Sequence, residues 1–168
     1  MSDLVIYFSR SGENYFGGVL KNIEKGNTEV IAEYIHELAS ADLFKVEPAV
    51  EYPADYMECI DVAKKEQQKD ARPELKESLD DISAYDTIYI GFPNWWGTLP
   101  MPMFTQLEKL DFAGKTVKPF VTHEGSGFGS SKRDLAKLCE GADIKNGLSI
   151  PGSSVYDVRS TVESWIRE

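Results

Sequence analysis

The sequence predicts an α/β fold: a doubly wound parallel sheet with helices on both faces. Two observations carry this. Short apolar runs rich in strand formers alternate with amphipathic helical stretches over the whole chain, a pattern in which each strand returns parallel to the last through a helix. The loops after the first, third and fourth runs concentrate Gly, Ser, Asn and Trp. In such sheets ligands sit at the carboxyl ends of the strands, where the strand order reverses.

The elements follow in order. Residues 4–8 (LVIYF) form the first strand. Residues 28–39 place Val30, Ile31, Tyr34, Ile35 and Leu38 on one helical face. Asn27 is a suitable cap for that helix, and Glu29 complements its positive end. Residues 42–48 (DLFKVEP) are the second strand, stopped by proline, and residues 54–69 a polar helical stretch with thin apolar content (Met57, Ile60, Ala63). Residues 86–92 (DTIYIGF) are the third strand, and Met103, Phe104, Leu107 and Leu110 mark the next helical face. Residues 116–122 (TVKPFVT) are the fourth strand; after its loop, Ser131 with Asp134 resembles a capping box ahead of Leu135, Leu138 and Cys139. Residues 148–150 supply a short last strand, and Val158, Val162, Trp165 and Ile166 stripe the final helix. No repeat or linker divides residues 1–168, which read as one domain.

The chain has 168 residues, 42% of them hydrophobic and 27% charged, a globular composition. No apolar run approaches a bilayer span. The opening MSDLVIYF lacks the charged region and cleavage site of a signal peptide, so a cytoplasmic setting is expected. Cys59 and Cys139 stand far apart, outside any ligand spacing, which argues against a disulfide framework or a metal site. A formal net charge of -10 argues against nucleic acid. It serves solubility and permits steering toward a basic protein partner.

Three loops carry the chemistry. In the first, Ser9-Arg10-Ser11 and Gly26-Asn27-Thr28 flank an excursion of residues 12–25. Hydroxyls, a glycine and the N–H groups at a helix start make an anion site of mostly neutral donors, suited to a terminal phosphate monoester. An ordinary capped strand-to-helix turn has the same residues. Arg10 either assists the anion or points to solvent, the latter being expected. The second loop is Pro93-Asn94-Trp95-Trp96-Gly97. Two adjacent indoles are hard to bury, because each N–H needs a partner. A flat wall over a planar ligand accounts for them, with one Trp expected instead in the core or over a helix.

The third loop, Thr122-His123-Glu124-Gly125-Ser126-Gly127-Phe128-Gly129-Ser130, lets backbone approach a ligand closely. Its glycines superficially resemble a dinucleotide fingerprint, but they lie in the fourth βα unit, and Ser149 stands where an acid is needed. Together the loops describe a planar ligand with a terminal phosphate. No catalytic side chain is singled out: His123 reads first as a structural histidine, and Cys139 as core.

This order of motifs resembles the flavodoxin family, whose first loop reads Ser/Thr-x-Ser/Thr-Gly-x-Thr. Ser9-x-Ser11 and Gly26-Asn27-Thr28 match once residues 12–25 are removed, and YIGFPNWWG with TLPMPMF (residues 89–104) resembles its branch with a tryptophan pair. The resemblance spans essentially the whole chain. It implies a five-stranded sheet of order 2-1-3-4-5 and FMN as cofactor. Ser9, Ser11, Asn27 and Thr28 would hold the phosphate. Pro93, Asn94, Trp95, Trp96 and Gly97 would line one side of the ring, and Thr122, His123, Gly125, Ser126 and Gly127 another.

The departure is the insert, read either as a flap beside the ligand using Asn14 or Tyr15, or as a surface excursion with its own apolar cluster (Tyr15, Phe16, Val19, Leu20, Ile23). An acidic protein with an aromatic wall disfavours adding negative charge to a bound ring, which makes the reduced protein a strong donor. The expected function is electron transfer between a reductase and an acceptor protein, through basic docking surfaces on those partners, by a monomer or weak dimer. An NAD(P)H-dependent quinone or flavin reductase is the alternative. A binding module that has lost the flavin is the second.

Overall fold

The computed structural model describes residues 2–168. Strand β1 (Ser2–Tyr7) leads into a hairpin of β2 (Gly12–Phe16) and β3 (Val19–Ile23), followed by helix α1 (Asn27–Ala39), β4 (Asp42–Lys45) and α2 (Tyr56–Gln68). Then come β5 (Tyr85–Pro93), α3 (Met101–Leu107), β6 (Thr116–His123), α4 (Ser131–Leu138), β7 (Asp143–Ile144), β8 (Leu148–Pro151), a 3-10 turn (Gly152–Asp157) and α5 (Arg159–Ile166). The main sheet has the order β4-β1-β5-β6-β7, with β8 also on β6, and every pairing in it is parallel. This is the expected 2-1-3-4-5 arrangement.

Strand alternation builds two cores, one on each face. Leu4, Ile6, Phe8, Ile88, Ile90, Phe92, Val117 and Val121 face Met103, Leu107 and Leu135 of α3 and α4. Val5, Tyr7, Tyr89 and Phe120 face Val30, Ile31 and Ile35 of α1 and Val162 and Trp165 of α5. Gly91 in mid-β5 is a matter of space: a Cβ there would lie 2.0 Å from the Phe120 ring.

The last strand position differs from the sequence expectation, for a reason within β6. It is split into β7 and β8, and only β8 was expected. The Lys145 N–H donates to Val117 O, so odd-numbered residues of β6 direct their backbone groups toward that edge. Pro119 is the next of them and has no N–H, and the ladder breaks opposite it.

Two caps also differ. Gly26, not Asn27, precedes α1, and its first turn is capped from upstream by Ser9 Oγ, which accepts the Glu29 N–H at 3.0 Å. Ser131 and Asp134 form no capping box: the Ser131 hydroxyl donates back to Phe128 O, and Asp134 accepts from Thr98. Helix α2 starts as expected, with Asp55 accepting the Glu58 N–H at 2.9 Å. Residues 70–84 are held by the buried Gln106, whose amide bonds both backbone groups of Leu79 at 2.9 and 2.7 Å.

Candidate functional site

A cleft of about 280 Å³ opens at the carboxyl end of the sheet. Its walls come from Arg10 after β1, Asn14 and Tyr15 of the hairpin, Asn27 at the start of α1, Tyr56, Cys59 and Ile60 of α2, and the ends of β5 and β6 with the loops that follow them. Of the residues expected there, Asn27, Pro93, Asn94, Trp95, Trp96, Thr122, His123 and Ser126 line it.

The glycines of those loops shape the walls without lining the cleft. Gly97 has φ +90° and donates its N–H to Asn94 Oδ1 at 2.8 Å. Asn94 Nδ2 donates in turn to Gly127 O at 2.8 Å, so one amide side chain ties the two loops together. Gly125, at φ +126°, donates its N–H to His123 Nδ1 at 2.8 Å.

That contact settles the state of His123. With Nδ1 accepting, the proton sits on Nε2, which lies 2.9 Å from Ser149 Oγ. Burial pushes its pKa below the ordinary 6.5, and the nearby Glu124 carboxylate opposes this less strongly. Both nitrogens are engaged within the protein, so His123 holds the third loop in shape, as the structural reading expects.

The tryptophans divide the work. Trp95 is half-buried, edge-on to Phe8 at 4.9 Å and to Tyr52 at 5.0 Å. Trp96 is 47% exposed and lies over α2, donating its indole N–H to Ile60 O at 2.8 Å with Lys64 above its ring. It has φ +53°, a left-handed conformation that non-glycine residues adopt rarely and mostly at functional or tightly determined positions.

The first loop is closed in spite of its insert. Gly26 packs so tightly on the other half of the turn that a Cβ there would lie 2.1 Å from Ser9 Oγ and 2.7 Å from Arg10 O. Ser9 and Ser11 line a neighbouring hollow, which shares Arg10 and Trp95 with the cleft, and Ser9 Oγ accepts the Glu29 N–H. The Thr28 hydroxyl is buried and hydrogen-bonds the Thr122 hydroxyl, 2.9 Å away. One expectation, that for Arg10, needs correction. Arg10 is not directed to solvent: it donates to Pro53 O, Ala54 O and Glu13 O at 3.1, 3.0 and 3.3 Å, because three carbonyls converge where the hairpin leaves the turn.

Tyr56, Cys59 and Ile60 had no signal in the sequence beyond the weak stripe of α2. Cys59 is buried, and burial pushes its thiol pKa up, which keeps it protonated. Cys139 is core, its pKa pushed up to about 12 by burial. Among the described residues no group of acids, histidines or cysteines could hold a metal ion, and no helix is long and apolar enough to cross a membrane.

Fold and cleft together define a class: doubly wound α/β proteins with one aromatic-walled cleft at the switch point of the sheet. The chain belongs to the flavodoxin family, whose model, described as Flavodoxin, matches residues 3–168. It is similar to a provisionally named flavoprotein of Bacteroides uniformis, at 32% identity over 99% of this chain and 98% of that one, with a TM-score of 0.79. A second such protein, from Bacteroides eggerthii, is 27% identical over 99% and 96%, with a TM-score of 0.78. A flavoprotein of Lactobacillus acidophilus, solved in complex with FMN, shares the fold at 24% identity over 92% and 96%, with a TM-score of 0.65. No curated protein matches the chain.

The residues present fit FMN, the cofactor of this family. Among the described residues the N–H groups of Asn27 and Thr28 have no hydrogen-bond acceptor, as expected for the first turn of a helix. Neutral N–H donors with the Asn27 amide suit a phosphate monoester. Trp95, Trp96, Tyr56 and Pro93 give flat apolar surface for a ring system.

Proposed function

We propose that the protein binds FMN in this cleft and carries electrons between a reductase and an acceptor protein. The N–H groups of Asn27 and Thr28 hold the phosphate from the start of α1, with the Asn27 amide beside them. Trp95 and Trp96 orient the ring from the β5 side, and the backbone of residues 123–126 from the β6 side. Bound FMN supplies the electron-transfer chemistry. The chain contributes binding, a dry aromatic wall and a negative field that disfavours further negative charge on the ring.

One observation favours the carrier over the NAD(P)H-dependent reductase. A cleft of about 280 Å³ is slightly smaller than typical ligand sites, which run from about 300 to 1,000 Å³. It suits one planar ring system, and a nicotinamide stacked on that ring would need further space. The net charge of -10 supports docking to basic partners.

The test is an absorption spectrum after FMN loading and removal of free ligand, followed by anaerobic NADPH. Retained flavin bands that stay oxidised for minutes are expected. Rapid bleaching would replace the carrier by the reductase, and no retained flavin would leave a binding module on the same fold.

A further inference from the structure

The hairpin inserted after β1 is tied to residues on both sides of the cleft. Toward α2, Glu13 Oε1 accepts the Tyr56 N–H at 2.7 Å, and the Tyr15 ring stands edge-on to Tyr56 at 5.0 Å. At its root, Asn14 Nδ2 donates to Arg10 O at 2.7 Å. At its tip, the turn of Gly17 and Gly18 reaches the loop after β6, where the Gly18 N–H donates to Glu124 Oε2 at 3.1 Å. Tyr56 and Glu124 both line the cleft, so the hairpin runs from one wall to the other. A surface excursion would gather its own apolar side chains, yet Val19 and Leu20 are 57% and 41% exposed. The polar contacts go to the cleft instead.

We propose that this hairpin is a clasp across the cleft that sets which second ring reaches a bound planar ligand. Tyr15 is the excluding side chain, and the Glu124 carboxylate on the Gly18 N–H is the latch. The inference rests on the reading of the cleft as an FMN site. Tyr15 lines the cleft with its ring supported by Tyr56 alone among aromatic neighbours, so a nicotinamide-sized ring approaching a bound flavin meets it. The latch is one solvent-exposed hydrogen bond, and with two glycines in the turn the tip can swing clear when ligand enters. The insert thereby gives the carrier its selectivity: small hydride donors are kept off the ring, and electrons arrive through a docked protein.

Two measurements test this. In FMN-free protein, amide exchange at Gly18 should speed up by about tenfold or more in Glu124→Ala, and Glu124→Gln, which keeps an acceptor, should restore most of the protection. In FMN-loaded protein under anaerobic conditions, Tyr15→Ala should be reduced by NADPH about tenfold or more faster than wild type. Replacement of residues 12–25 by two glycines should do at least as much.

Unchanged Gly18 exchange in Glu124→Ala would overturn the latch whatever the flavin does. Reduction rates in Tyr15→Ala and the shortened chain equal to wild type would overturn the access role while leaving the carrier reading intact. Rapid reduction of wild type would instead overturn both.

Discussion

The hydroxyls of Thr28 and Thr122 lie 2.9 Å apart, with the two residues 1% and 3% exposed, and they join the start of α1 to the end of β6. A pair so buried is a fastening between the start of α1 and the end of β6. Thr28→Val should therefore cost about 1–3 kcal/mol of stability, since it strands the partner hydroxyl. Adding Thr122→Val replaces both polar groups by isosteric apolar ones and should recover most of that loss. Urea denaturation of the two single variants and the double variant measures it; additive single costs would refute the fastening.

Trp95 and Trp96 should separate stability from binding. Trp95 packs on Phe8 and Tyr52, so Trp95→Ala should cost about 2–4 kcal/mol, somewhat below a fully buried truncation. Trp96 is half exposed, and Trp96→Ala should change stability by less than about 1 kcal/mol while weakening FMN. Denaturation midpoints beside FMN titrations give both quantities. A Trp96→Ala protein with wild-type affinity would remove that indole from the site.

Gly26 needs room, because its φ of -63° is open to any residue. Gly26→Ala drives a methyl into Ser9 and Arg10 and must prise apart the two halves of the turn. Overpacking of this kind costs about 1–3 kcal/mol. The N–H groups proposed to receive the phosphate should move with it, lowering FMN affinity by about tenfold or more. Calorimetric titration of the variant decides the point.

His123 makes stability depend on pH in a stated direction. Its folded pKa lies below the ordinary 6.5, chiefly through burial, so the unfolded chain takes up a proton first. The contribution is complete above about pH 6.5 and declines as pH falls through the lower folded value. Protonation at Nδ1 also removes the acceptor for the Gly125 N–H. Thermal denaturation of wild type and His123→Gln from about pH 7 to about pH 5 should show a steeper fall in wild type. Parallel curves would refute it.

Partner docking on an acidic surface should be screened by salt. Electron transfer with a basic reductase should slow by about tenfold or more between roughly 0.01 and 0.3 M ionic strength. Stopped-flow rates at the two salt concentrations test this, and a flat profile would point to apolar docking.

The sequence alone determined the order of strands and helices, the two-sided sheet and the three loops at its carboxyl edge. Each is written locally: short apolar runs such as Leu4 to Phe8, helical stripes such as Val30, Ile31 and Ile35, and turn residues clustered between them. Only the tertiary structure decided what depends on residues far apart in the chain. It turned Thr28 toward Thr122, took Arg10 to the carbonyls of Pro53 and Ala54, sent Trp95 inward and Trp96 over α2, and brought Tyr56, Cys59 and Ile60 into the cleft. It also set the tip of the hairpin on Glu124, 106 positions away from Gly18. Such partners leave no trace in local periodicity, because a hydrogen bond is chosen by distance and desolvation in the folded chain, where sequence neighbours have no privilege.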